Sequence, residues 1–205
     1  MKVKGSQLAK LQEYLQTVSN AVVDVGASNV EELLDLMRRY DGGHADFDGY
    51  IVPTVPARKQ QQDTAATLAE LARIGVPAER VRLVFNQITH DARIEQVFGT
   101  LLAYCRSSGQ AQVRLDARLH MNEVYARIRG TPQSLKEIAA DPTDFKQLIA
   151  QASSTAEKIE LARKLTTQRL ARGVLPELDA CFDALDLQAL MFQWPGGSPE
   201  AQAAA

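Results

Sequence analysis

The sequence predicts an α/β fold, in which a parallel sheet is flanked by helices and followed by a helical C-terminal end. Two observations predict it. Short apolar runs alternate with helical patterns over the first part of the chain, and wholly apolar strands are typical of parallel sheets covered on both faces. From about Asn122 every periodic segment is helical. We therefore expect an α/β domain at 1–130, a helical part packed on it at 131–193 and a disordered tail at 194–205.

The composition limits the functional class. Charged residues make up 23% of the chain and the net charge is −2, so no overall positive field draws the protein onto DNA or an anionic membrane. Cys105 and Cys181 lie on apolar helical stripes and predict buried free thiols. No apolar run is long enough to span a bilayer, and the N-terminus lacks the apolar core of a signal peptide. We therefore expect a cytoplasmic protein.

The first predicted elements are a helix, a strand and a second helix. Ser6 is a candidate N-cap for a segment with leucines at helical spacing. Residues 21–23 (AVV) predict a short buried strand. Ser28 and Glu31 have the spacing of a capping box, which predicts that the next helix begins there and continues to the Asp-Gly-Gly-His break at 41–44.

Strands and helices then alternate. Strands are predicted at 47–55 and 81–85, with a helix at about 59–74 between them that Gly75, before Val-Pro, should end. Asp91 is a candidate cap for the following helix. The remaining predicted elements are a fourth strand at 111–115, helix starts at Thr131-Pro132 and Asp141-Pro142, a long helix at about 153–170, and a further helix opened by Pro176.

The strongest candidate for chemistry is the pair Asp24 and Gly26. An acidic residue at the carboxyl end of a buried parallel strand lies where open α/β sheets bind ligands, and nucleotide hydrolases use such an aspartate to hold Mg²⁺. A glycine two residues later allows a backbone N–H to approach a phosphate closely. The simpler interpretation is a turn before a capped helix, and the motif alone does not decide between the two.

Other polar residues at strand ends are weaker candidates. Asn86 follows the third strand, where an amide can read an adenine edge, although most such amides only satisfy a loop backbone. Arg58 and Lys59 lie at a strand-to-helix turn and suit either a phosphate contact or a solvated first turn. The three histidines are scattered without metal-ligand spacing, and the basic residues between 163 and 172 read as the solvated face of an amphipathic helix.

Taken in order, these pieces resemble a known family. The sequences AVVDVGASNVEELLDLM and FDGYIVPTVPARKQQQDTAATLAELARIGVPAERVRLVFNQI are similar to the StbB plasmid-stability proteins, within the ParA/MinD-like group of deviant P-loop ATPases. The similarity covers about residues 6–130 well and the helical remainder more loosely. It implies a P-loop NTPase fold in which Asp24 has a catalytic and Mg²⁺-associated role, Gly26 senses the γ-phosphate and Asn86 reads adenine.

The resemblance also implies a function. It implies an ATP-dependent, Mg²⁺-dependent switch that dimerises with nucleotide and acts in plasmid stability, partition or conjugative transfer. A small DNA-binding protein would be its partner, and direct DNA contact by this chain stays open. One departure matters: these 205 residues contain no G-x-x-x-x-G-K-[ST] loop and no Gly-Lys pair. That loop supplies most of the phosphate binding in the family.

Two hypotheses follow from this departure. In the first, the chain is a shortened StbB/ParA-like ATPase that binds nucleotide poorly by itself. In the second, it is a non-enzymatic protein-interaction module on a degenerate P-loop fold. The missing first strand would lie beside the strand that carries Asp24, so its loss also leaves backbone groups that need new partners.

Overall fold

Three parallel strands form the centre of the molecule. The computed structural model describes residues 8–40 and 42–191. The strands are β1 (Tyr50–Thr54), β2 (Val81–Ile88) and β3 (Arg118–His120), in the order β1-β2-β3. The sheet confirms the coarse α/β prediction. Strand β1 lies within the strand predicted at 47–55, and β2 begins where the strand at 81–85 was predicted and continues to Ile88.

Helices flank the sheet and make up the C-terminal end. Because parallel strands need crossover connections, α3 joins β1 to β2, and the pair α4 and α5 joins β2 to β3. The helices are α1 (Leu8–Leu15), α2 (Val30–Arg39), α3 (Arg58–Arg73), α4 (Ile94–Val97), α5 (Gly99–Ser108), α6 (Val124–Ile128), α7 (Leu135–Ala140), α8 (Phe145–Gln151), α9 (Thr155–Leu185) and α10 (Gln188–Met191). Gly75 follows α3 at φ 94°, the left-handed conformation that glycine adopts without strain, which confirms the predicted stop.

Strand β2 is buried on both faces. Leu83 and Phe85 face the main core, which α1 to α5 close from one side. Val84 points to the other face and packs against Cys181 and Leu185 of α9. Because successive side chains of a strand alternate between faces, a strand in this position needs apolar residues on both faces, as Leu83, Val84 and Phe85 provide.

Helix α9 is continuous where two helices were predicted. Pro176 lies inside it and does not open a new helix, so that prediction was wrong. A proline in a helix interior removes one backbone hydrogen bond and clashes with the carbonyl four residues earlier. Burial on both sides of the proline offsets this cost: Val174 packs with α6 and α7, whereas Cys181 and Leu185 pack with the sheet.

Residues 21–23 form no strand, which corrects the second predicted element. They pair with no strand of the described sheet, and Val22 is 99% exposed. A strand needs a neighbour to satisfy its backbone groups, and residues 21–23 form no ladder with the outer edge of β1, which pairs with β2 only on its inner side. The Ser28–Glu31 capping box is also absent, because the short 3-10 turn Ala27–Asn29 precedes α2 and its N-cap makes no side-chain hydrogen bond.

Two further predictions around β3 were wrong. The predicted strand at 111–115 is reduced to a single bridge between Gln112 and Arg82, and the third strand forms at 118–120. A turn at 115–117 separates the two, so the chain contacts β2 twice instead of once. The helix expected after Asp91 is split into α4 and α5 by Phe98, and its N-cap is Arg93. Phe98 is fully buried against Phe85, with ring centroids 4.9 Å apart, so core packing sets this joint.

The two Pro-led helix starts are shifted by a few residues. The cap of α7 is Ser134, which forms a capping box with Glu137. Asp144 caps α8, because the Asp141 carboxylate instead accepts hydrogen bonds from the backbone N–H and hydroxyl of Thr143. The predicted cap Ser6, the break residue Asp41 and the tail 194–205 lie outside the described residues.

Candidate functional site

Asp24 and Gly26 lie on an exposed stretch that precedes α2. Both residues are exposed, and the stretch is irregular up to the 3-10 turn that Gly26 begins. Gly26 has φ −61° and ψ 143°, an extended conformation open to any residue, so its backbone does not require glycine. The carboxylate of Asp24 is therefore presented to solvent without the strand that was expected to position it.

Asn86 lies inside β2 and not beyond its end. Its side-chain Oδ1 accepts a hydrogen bond of 2.8 Å from the backbone N–H of Gln87. Gln87 has φ 57°, and the β2–β3 register shifts between Phe85 and Ile88, so the strand bulges here. The amide of Asn86 thus satisfies the backbone of the bulge, which was the simpler of its two interpretations.

These three residues do not build a site for Mg-ATP in the part of the chain that the structure describes. No cluster of three or more His, Cys, Asp or Glu side chains there can hold a metal ion. Neither of the two clefts found on the surface is lined by Asp24, Gly26 or Asn86. Arg58 and Lys59 are exposed in the first turn of α3, as a solvated turn would have them.

The most developed polar cluster lies at the carboxyl ends of β2 and β3. His90 follows β2, and its ring stacks on that of His120 with centroids 4.4 Å apart and planes 18° apart. The Nδ1 of His120 lies 2.9 Å from Oε1 of Glu177 on α9. The same carboxylate oxygen accepts a hydrogen bond from the backbone N–H of His120. Ligands of open α/β sheets bind at this end of the strands.

A cleft of about 320 Å³ adjoins this cluster. The turn before β3 and β3 itself line one side, with Asp116, Arg118 and His120. Glu177, Ala180 and Cys181 of α9 line the other side. Burial raises the pKa of the Cys181 thiol, and the negative charge of Glu177 raises it further, so this cysteine stays protonated and is no nucleophile at neutral pH.

Arg82 fixes the end of α9 to the sheet. Its guanidinium is buried, and it donates from Nε to the carbonyl of Leu185 at 2.7 Å and from Nη1 to the carbonyl of Glu79. Burial lowers the pKa of Arg82, and Asp186 opposes this shift. The bond to Leu185 satisfies a carbonyl at the C-terminus of α9, where a helix has no partners of its own, and the bond to Glu79 ties the same guanidinium to the turn before β2.

A second cleft, of about 210 Å³, lies between α2 and α3 and is lined by Arg38, His44 and Arg73 among others. The carboxylate of Glu70 accepts from Arg38 at 2.6 Å and from Arg73 at 2.5 Å. Both arginines therefore already share one carboxylate, and the cleft offers a ligand little uncompensated charge.

Comparison with known proteins gives no relative: no family model, no curated protein and no solved structure matches this chain. No helix among the described residues is both long and apolar enough to cross a membrane. The histidine cluster was missed by the sequence reasoning, because His90, His120 and Glu177 come from three distant segments. The only indication that the sequence offers is that His90 and His120 each come five residues after the end of a predicted strand.

Proposed function

We propose that this chain is a StbB/ParA-like protein of plasmid stability, partition or conjugative transfer, and that it acts mainly by binding partners. One observation carries the proposal. The longest stretch of resemblance, residues 47–88, folds as one continuous β1-α3-β2 unit with parallel strands. A parallel crossover unit of this kind is the building block of nucleotide-switch folds.

The ATP-dependent switch is what the family resemblance implies, and this chain by itself has a weaker nucleotide-binding role. In the family, ATP and Mg²⁺ drive dimerisation, and a small DNA-binding protein is the partner. Here Asp24 is exposed and without a strand, and the Asn86 amide is engaged with Gln87. We therefore propose that these 205 residues bind Mg-ATP weakly, and that homodimer and partner contacts are their main contribution.

The second candidate is the purely non-enzymatic interaction module. The exposed, unpaired stretch that contains Val22 favours it, because an apolar stretch of this kind suits a contact with another chain. The two candidates differ in what Asp24 does. In the module Asp24 has no role, whereas in the switch it contributes to any nucleotide affinity that remains.

A calorimetric titration with Mg-ATP tests the proposal. It uses the full chain, Asp24→Ala, and Asp63→Ala as a matched control at an exposed aspartate of α3. We expect all three to bind no tighter than about 1 mM, a free energy of only about −4 kcal/mol. Micromolar binding that Asp24→Ala abolishes and Asp63→Ala preserves would contradict this view and would show a functional half-site completed in a dimer.

A further inference from the structure

The cleft between β3 and α9 presents opposite charges along one side. Arg118 and His120 are two residues apart in β3, so their side chains lie on the same side of the strand, about 6.6 Å apart along it. Asp116 belongs to the turn just before the strand and lines the same cleft. A negative, a positive and a hydrogen-bonding group thus follow one another along one wall.

The two charges on this wall are available to a ligand. Within the described part of the chain, neither the Asp116 carboxylate nor the Arg118 guanidinium forms a salt bridge. Arg114, a few residues earlier, pairs with Asp186, the C-cap of α9. Asp116 and Arg118 therefore form no salt bridge that holds α9 to the sheet.

Glu177 determines how a ligand can be recognised. Its carboxylate covers the backbone N–H of His120, which faces away from β2, so a new strand cannot add to the ladder at this residue. An ionised carboxylate accepts only, so Nδ1 of His120 carries a proton towards it. In the neutral ring, Nε2 is then an acceptor. His90 holds the plane of the ring by stacking on it.

We propose that this cleft binds an extended segment of a partner protein through its side chains. The segment presents a basic side chain to Asp116, an acidic one to Arg118 and a hydroxyl to Nε2 of His120, at alternate positions. Alternate side chains of an extended peptide are spaced like Arg118 and His120 of β3, so these two contacts form together, and the turn places Asp116 beside them in the same cleft. The cleft of about 320 Å³ accommodates a few side chains, as a short peptide needs.

This inference extends the partner-binding role proposed above, but it needs no nucleotide. It can fail while that role stands, if the partner contacts another surface. Conversely, peptide binding here would hold even if calorimetry showed a working nucleotide site. The two experiments therefore report on different parts of the molecule.

Fluorescence anisotropy with the full chain tests the inference. The probe is a dye-labelled peptide containing Lys-Ala-Glu-Ala-Ser, used in forward and in reversed order because the structure does not fix its direction. We expect saturable binding in one of the two directions. Peptides in which Lys and Glu are exchanged should bind roughly tenfold more weakly, because each attractive pair becomes a repulsive one.

A charge reversal separates recognition from folding. Arg118→Glu should weaken the original peptide roughly tenfold and be rescued by a peptide with Lys in place of Glu. Arg106→Glu, an equal charge change at an exposed residue of α5, should leave both affinities unchanged. Equal binding of the exchanged peptide, no rescue of Arg118→Glu, or no binding at millimolar peptide would each overturn the proposal.

Discussion

Replacing Pro176 by alanine should stabilise the protein. The proline is exposed inside α9, nine residues before the helix ends at Leu185, so the substitution removes no core contact. Alanine restores the backbone donor to the carbonyl of Arg172 and removes the ring clash, a gain of about 3 kcal/mol in a helix interior. The unfolded chain regains freedom, which costs about 0.4–1 kcal/mol. A net gain of about 2 kcal/mol follows.

The assay is denaturation by urea for the free energy of unfolding and by heat for the Tm, each followed by circular dichroism at the helix band. A gain of about 2 kcal/mol corresponds to a rise in Tm of about 4–8 °C for a domain of this size. Gly173→Ala is the matched variant in the same helix, since no atom lies within 4 Å of its added Cβ, and it should contribute about 1 kcal/mol. If Pro176→Ala destabilises the protein while Gly173→Ala stabilises it, α9 is two helices, as the sequence predicted, and the reasoning fails.

Three further results are expected. Ser134→Ala should lower the free energy of unfolding by about 1 kcal/mol, because it removes the capping box of α7. Thr131→Ala, outside the helix, should cost less, and equal losses of the two variants in urea denaturation would argue against this cap. Glu177→Gln should lower the free energy of unfolding by about 1–3 kcal/mol, because two donors of His120 lose a charged acceptor. The control is Glu13→Gln at an exposed residue, and an unchanged unfolding midpoint of Glu177→Gln would mean that Glu177 does not hold α9 to β3. Cys181 should react with a thiol reagent at neutral pH much more slowly in the folded protein than in denaturant, because burial raises the pKa of its thiol and the thiolate is the reactive form. A rate equal to that of the unfolded chain would show that the β3–α9 contact opens.

The local sequence pattern was sufficient to predict an element where residues close in sequence also determine its structure. The run at 81–85 predicted a strand, and in the structure Leu83 and Val84 pack on opposite sides of the sheet. Helix α3 has nearly its predicted length, because a glycine and a proline end it. Its periodic apolar face then packs on the core through Leu68 and Leu71.

Pattern failed where a distant segment decides the outcome. The apolar run at 21–23 suits a strand in isolation, but a strand forms only where its backbone pairs with a neighbour, and composition does not decide that pairing. Pro176 predicts a break, but the packing of the two ends of α9 against different surfaces keeps the helix whole. Local propensities are worth about 1 kcal/mol or less for most residues and about 3 kcal/mol for a proline inside a helix, and burial of several side chains exceeds them.

The sequence alone determined that this is an α/β chain with a helical C-terminal end, since that follows from the order and period of its apolar residues. The likeness of Asp24, Gly26 and Asn86 to the site residues of a nucleotide switch stays a prediction from the sequence. Only the tertiary structure decided that His90, His120 and Glu177 meet beside a charged cleft, while Asp24 remains in solvent. The physical reason is that a site depends on which strands become neighbours, and backbone pairing between distant segments sets that order.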